Sequence, residues 1–277
     1  MNYLRVLFFI PALPCLFLIS CNTGTKTHSD QSVQDSADSR VQTPALIGYR
    51  VVDTLAHDIS AFTEGFQFYK GLLYEGTGQE GKTAIQITDP TTGKIVERFN
   101  DYKTDIFGEG ITIINGHLFQ LTYHNKLAYV FELPKLKKPI KTLAWQKEGW
   151  GCTTDGEQII ISEGSSRIYF ADPEDLRIKR EITVQDNMGE VDQLNELEYI
   201  EGYIFANRWH TDQIYKIDPQ NGHVVGILHF EGQLNRYAPT FQPGEEAVLN
   251  GIAWDAEKKE MYLTGKNWPL IFKVKLD

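Results

Sequence analysis

The chain has 277 residues, 42% of them hydrophobic and 12% aromatic, enough to build a core for one large domain or two small ones. Its formal net charge is −10 and no basic patch is present. That argues against a nucleic-acid partner, which needs clustered Lys and Arg to displace counterions.

The first twenty residues read as a targeting segment. "MNYLR" is a short basic start, and "VLFFIPALPCLFLIS" is an apolar run of signal-peptide length, too short and too proline-interrupted for a good spanning helix. It ends in "LISC", Leu18 to Cys21, which resembles the bacterial lipobox, whose Cys becomes the lipid-modified first residue of the mature protein; an ordinary secretory cleavage nearby is the plainer alternative. Residues 1–20 are therefore expected to be a lipoprotein signal peptide. Lipid on Cys21 would hold the protein in the cell envelope, on the periplasmic or cell-surface side of a bacterial membrane, without spanning it. Residues 21–45, rich in Ser, Thr, Asp and Gln, bury too little to order and form a flexible tether. The folded domain is expected over 46–277. Cys15 falls in the signal and Cys21 takes lipid, so Cys152 is alone in the domain, and no disulfide can form within it. In "GWGCTTD" it reads as a core residue rather than a reactive thiol.

From there the chain repeats itself. A Gly-containing or polar head, a strand, a turn and a second strand recur at Thr63–Gly78, Gly108–Tyr123, Gly149–Gly164, Leu194–Trp209 and Leu249–Lys266. Alternating apolar residues, such as Ile111 and Ile113, mark half-buried strands. In phase with these, Pro90, Pro134, Pro173 and Pro219 mark turns further along each unit, since proline sets a turn and cannot donate to a ladder. Each period thus holds about four strands, the blade of a β-propeller. The fifth unit stops at "LIFKVKLD", one strand short. "GYRVVDTLA" (Gly48–Ala56) can supply the missing strand and remove the open edges. The expectation is an all-β, five-bladed propeller closed by an N-terminal strand; a closed ring needs no partner, so a monomer is expected.

Aligning the copies makes Glu64, Glu109, Trp150, Asn195 and Asn250 equivalent, at spacings of 45, 41, 45 and 55. Inner strands start beside one end of the central channel, so these residues should converge there. The ends of the second strands add Asn207, Trp209 and His210 from "ANRWHTD", and Lys266 and Trp268 from "TGKNWP". Periodicity does not say which of these share that face. Polar groups at an axis either hydrate the channel or form a site, and the repeat leaves both readings open.

The motifs "FTEGF", "LLYEGTG", "FGEGIT", "EGWGCTTDG", "LNELEYI", "ANRWHTD", "IDP", "VLNGIAWD" and "TGKNWP" occur in an order that resembles the plant-type and bacterial glutaminyl-peptide cyclotransferases, a five-bladed family. The likeness covers Thr54 to Leu276. It implies conversion of an N-terminal glutamine to pyroglutamate and ammonia, with Glu109 as the acid/base residue. It also implies that Phe62, Phe107, Trp150, Asn195, Trp209 and Lys266 line the site. The family commonly has Gln where this chain has Glu64, so a second carboxylate stands beside the first. Like-charge repulsion would raise the pKa of one of them, or the substrate range would change.

Residue types fit this chemistry. The α-amine must attack unprotonated, the γ-carbonyl must be polarised and the departing nitrogen needs a proton. One carboxylate, Glu109, can accept the first proton and deliver the last. Asn195, Trp150 or Trp209 could steady the oxyanion, with Lys266 adding charge there or pairing with a carboxylate. Glu64 and Asn250 complete the substrate-binding set. The mechanism requires no cofactor, and no HExxH or tight His/Cys cluster announces zinc, though Glu64 and Glu109 could hold a structural ion in the channel. Two other readings stay open: a non-catalytic envelope propeller that binds peptides or proteins, and a metal-dependent propeller hydrolase.

Overall fold

A computed structural model describes residues 41–277. The signal segment, Cys21 and the tether up to residue 40 lie outside them. Among the described residues no helix is long and apolar enough to cross a membrane.

Strands alternate as a period of two requires. In "IIIS" (Ile159–Ser162) all residues are buried, yet Ile159 and Ile161 pack towards one neighbouring blade and Ile160 towards the other. Five four-stranded antiparallel units result. Blade 1 comprises Thr63–Tyr69, Leu72–Thr77, Ala84–Asp89 and Lys94–Phe99. Blade 2 comprises Gly108–Ile114, His117–Thr122, Leu127–Glu132 and Lys141–Ala144. Blade 3 runs from Cys152–Thr154 through Ile159–Ser162 and Arg167–Ala171 to Ile178–Thr183. Blade 4 has Leu194–Ile200, Tyr203–Arg208, Gln213–Ile217 and Val224–His229, with Ala45–Leu46 added in parallel on its outer edge. Blade 5 has Leu249–Asp255, Glu260–Gly265 and Leu270–Leu276. The four marker prolines all fall between third and fourth strands. In three of those turns the preceding Asp accepts the N–H two residues on, as Asp89 does from Thr91 at 2.8 Å and Asp218 from Gln220 at 2.8 Å.

The fourth strand of blade 5 is Tyr49–Ala56, paired antiparallel from Tyr49 opposite Leu276 to Ala56 opposite Leu270. The N-terminal closure expected from the sequence is therefore present. The hydrophobic core is divided into five clusters, each filling the gap between two adjacent blades. Cys152 is buried in the cluster between blades 2 and 3, and burial pushes its thiol pKa well up, as an inert core residue requires.

At the axis the inner strands approach backbone to backbone. The residue after each repeat position is Gly65, Gly110, Gly151, Glu196 or Gly251. A side chain at Gly65 would strike Ile111 N of blade 2, one at Gly110 the backbone of blade 3, and one at Gly151 the Asn195 carbonyl of blade 4. Gly110 N–H donates to the Trp150 carbonyl at 2.7 Å across that contact. Only blade 4 departs, and its Glu196 carboxylate fills the axis. It accepts N–H bonds from Phe66 of blade 1 (3.0 Å) and Ile252 of blade 5 (2.8 Å).

One turn deeper, Glu198 bridges blades in the same way, accepting from Thr153 Oγ1 (3.2 Å) and the Trp254 N–H (3.1 Å). Burial pushes its pKa up to about 8. In the unfolded chain it would titrate near 4.5. Between these values the folded state holds a proton that the unfolded state has lost, so stability falls as pH rises through the window. We expect the urea midpoint to decline from about pH 5 to about pH 8, and Glu198→Gln to reduce that slope; an unchanged slope in the variant would place the titration elsewhere.

Candidate active site

The inner hairpins of blades 1, 2, 4 and 5 each carry a register shift at the same place, between Thr63 and Gly65, Gly108 and Ile111, Leu194 and Leu197, and Leu249 and Ile252. Such a bulge leaves a residue outside the ladder and re-aims its side chain. The residues released are the repeat positions Glu64, Glu109, Asn195 and Asn250. In blade 3 the strand starts only at Cys152, which frees Trp150 in the same way.

These positions converge on a cavity of about 220 Å³, below the roughly 300–1,000 Å³ of sites for drug-sized ligands. Aromatic rings form its collar, blade by blade. Phe62 meets Phe107 edge to face (6.2 Å, 88°), Phe107 meets Tyr123 (5.9 Å), Tyr123 meets Trp150 (6.4 Å), and Trp150 meets Trp209 (5.6 Å, 87°). Lys266 of blade 5 closes the circle, its ammonium 4.6 Å from the Phe62 ring centre.

At the base lie two carboxyl groups and one ammonium, all buried. Lys266 Nζ is 2.8 Å from Glu64 Oε1. Asn250 Nδ2 donates to the Thr63 carbonyl at 2.8 Å and to Glu64 Oε2 at 3.4 Å. Glu109 has no such cation, and it lies close enough to Glu64 to share a hydrogen bond. Burial and then the Glu64 charge push its pKa well above the carboxylate range. Burial also raises Glu64, but the Lys266 ammonium opposes that. The ammonium 2.8 Å away thus favours the charged form of Glu64, and burial favours the neutral form of Glu109 the more strongly of the two.

Three buried polar atoms on the cavity residues have no partner among the described residues: Trp150 Nε1, Trp209 Nε1 and Asn195 Oδ1. A native fold rarely leaves such groups empty. Two donors and one acceptor are thus open to water or a ligand.

Eight of the nine residues expected at the site line the cavity: Phe62, Glu64, Phe107, Glu109, Trp150, Asn195, Trp209 and Lys266. Asn250 does not; it sits behind Glu64 and steadies its carboxylate. Lys266 is engaged with Glu64 rather than free. Among the described residues no group of three or more His, Cys, Asp or Glu is arranged around a metal. Trp268 is buried in the core between blades 4 and 5, donating its Nε1–H to the Ala247 carbonyl at 2.9 Å. His210 lies against the Trp209 ring at 4.2 Å, and Asn207 accepts the Gly251 N–H at 2.9 Å.

Two lining residues, Tyr123 and Glu246, were missed. The signal for Tyr123 was present. In blades 1 to 4 a second equivalent position falls 14 residues after the first, at Gly78, Tyr123, Gly164 and Trp209; in blade 5 a longer turn moves it to Lys266. The two glycines of this set make room, because a side chain at Gly78 would collide with Phe107, and one at Gly164 would stand 2.6 Å from Trp150 Cζ2.

A closed five-bladed ring, holding two buried carboxyl groups in a one-residue aromatic pocket at the end of its axis, has the form of a propeller enzyme. A sequence profile of the glutamine cyclotransferase family matches residues 18–276, and the chain belongs to that family, whose enzymes catalyse a cyclisation. It is 36% identical to a glutaminyl-peptide cyclotransferase of Arabidopsis thaliana over 228 residues, 82% of this chain and 70% of the relative. The crystal structure of Myxococcus xanthus glutaminyl cyclase superposes with a TM-score of 0.77 at 29% identity, covering 84% of this chain and 98% of the other.

The glycine at 164 has φ +80°, and its absent side chain is what lets the Trp150 indole lie flat. Gly164→Ala should displace that indole and strain the turn. We expect a loss of at least tenfold in kcat/KM with a stability cost of about 1–3 kcal/mol; wild-type kinetics in the variant would separate Trp150 from the site.

Proposed function

We propose that this enzyme converts the N-terminal glutamine of exported peptides and proteins to pyroglutamate, releasing ammonia, while held in a bacterial envelope by lipid on Cys21. The observation that carries the reading is the buried carboxyl pair Glu109–Glu64, set beside three polar atoms unpartnered among the described residues in a cavity sized for one residue.

In this mechanism the glutamine side chain folds back within the collar, placing its γ-carbonyl carbon next to its own α-amine. Much of the rate comes from that enforced proximity. Asn195 Oδ1 accepts an N–H of the substrate, and the indole N–H groups of Trp150 and Trp209 donate to the carbonyl oxygen as it gains charge. The amine nitrogen forms the C–N bond and gives up a proton. Glu109 passes its own proton to the departing nitrogen and is recharged by the proton the amine sheds, so ammonia leaves neutral and the carboxyl pair is restored. Glu64 stays ionised on Lys266, which keeps the pair at one proton.

The test uses the full chain purified in detergent and a peptide beginning with Gln, following ammonia release and the mass of the product. Glu109→Gln should lower kcat by about 10²–10⁴-fold, and a chelator should change nothing. Glu64→Gln removes the neighbouring charge and lowers the Glu109 pKa, so the alkaline limb of the rate profile should move to lower pH. Turnover surviving in Glu109→Gln, or lost on chelation, would overturn the mechanism. Mass spectrometry of the mature N-terminus should find diacylglycerol on Cys21; an unmodified Cys21, or cleavage beyond it, removes the anchor.

A further inference from the structure

The link between His229, which ends blade 4, and Leu249, which begins blade 5, stretches the repeat spacing to 55 residues where the others are 41 or 45. It carries a short helix, Gln233–Tyr237, and then "PGEE", which brings Glu246 to the cavity wall. The approach is fixed by the strand that holds the site. Ala247 N–H closes a turn on the Gly244 carbonyl at 3.0 Å, the Ala247 carbonyl accepts Trp268 Nε1–H at 2.9 Å, and the Val248 carbonyl accepts the Lys266 N–H at 2.9 Å. The link's last turn is thus clamped on both sides of Lys266.

Glu246 is exposed, and among the described residues it has no ion-pair partner. Its charge is felt by Glu64. On the blade 3 side stands Glu148, whose charge is felt by Glu109 and Tyr123; among the described residues its one ionic contact is to the exposed His124, at 3.3 Å. Among the described residues the only cation lining the cavity, Lys266, is already paired with Glu64. The uncompensated charge at the mouth is therefore negative. That a ligand enters here is indicated independently by Asn195, 2% exposed with Oδ1 unpartnered.

We infer that Glu246, assisted by Glu148, makes the pocket mouth select peptides whose residue after the terminal glutamine is basic, and disfavour those in which it is acidic. The inference rests on the activity proposed above. With the glutaminyl residue filling a cavity of about 220 Å³, the peptide must leave through the mouth, and the second side chain is the first group outside the collar. A guanidinium or ammonium there meets an unpaired carboxylate, and a carboxylate there meets repulsion. Because Glu246 is solvated, the effect is moderate and sensitive to salt.

The experiment compares Gln-Arg, Gln-Ala and Gln-Glu peptides with identical neutral, amidated tails, so that the terminal amine is the same in all three. In the full-length enzyme at low ionic strength, kcat/KM should fall in that order, by about three- to tenfold per step. The spread should shrink in about 0.5 M salt, where the Debye length is a few ångströms. Glu246→Gln should narrow it, adding Glu148→Gln should narrow it further, and Glu246→Lys should reverse it. Ratios taken within one variant cancel any change common to the three peptides. Equal values in the wild type, or an order that Glu246→Lys leaves intact, would overturn the inference. Failure to cyclise even Gln-Ala would instead overturn the proposed activity. Selectivity would then be read from equilibrium binding through the fluorescence of Trp150 and Trp209, with the same order expected and equal affinities counting against it.

Discussion

Five strands meeting backbone to backbone around one axis is the constraint on which the rest of this domain depends. The contact tolerates no side chain at Gly65, Gly110 or Gly151. Where four blades supply glycine, the remaining gap is filled by one group, the carboxyl of Glu196, reaching N–H groups of two other blades. Burying it is costly, and burial pushes its pKa well up; the two hydrogen bonds offset part of that cost by satisfying backbone donors that have no strand beside them. Beside this contact the inner strands of blades 1, 2, 4 and 5 begin with an irregular step. That step turns the preceding side chain out of the sheet and towards the channel end.

The site is therefore largely a product of symmetry broken in its side chains. One backbone position, repeated five times, presents a carboxylate twice, an indole once and an amide twice. A second position presents a phenol, an indole and an ammonium, with glycine twice. The glycines matter as much as the larger residues, because a ring of this diameter cannot seat an aromatic side chain at every place. Within the collar, burial disfavours charge on both carboxyl groups, and the Lys266 ammonium opposes that at Glu64. Glutamate at 64 is thus accommodated by an ion pair at 2.8 Å without leaving a bare charge in the interior.

The architecture was legible because strands, turns and proline punctuation recur in phase, and because a strand missing at one end had a counterpart at the other. Convergence of Glu64, Glu109, Trp150 and Asn195 followed from the same alignment. What stayed hidden depends on depth and on departures from the repeat. Asn250 occupies an equivalent position, yet it points behind Glu64, since the neighbouring backbone carbonyl of Thr63 offers it a better partner. Tyr123 was concealed by the absence of a matching aromatic in blades 1 and 3, where glycine holds the position for steric reasons. Glu246 lies in an insertion, for which a repeat supplies no register at all. Lys266 was seen as a site residue with two open roles, and only the distance to Glu64 separates them.

The closure of the ring also has a mechanical meaning. Residues 49–56 and 270–276 are paired side by side along their lengths, so a pull on the chain ahead of Ala45 loads those hydrogen bonds together, in shear, after peeling only the two-residue strand Ala45–Leu46 from the rim of blade 4. The inner strands, which carry the carboxyl pair, are two strands removed from that line of force. A domain hauled by its N-terminus would thus yield first at its outer edge, with the collar and its proton left undisturbed.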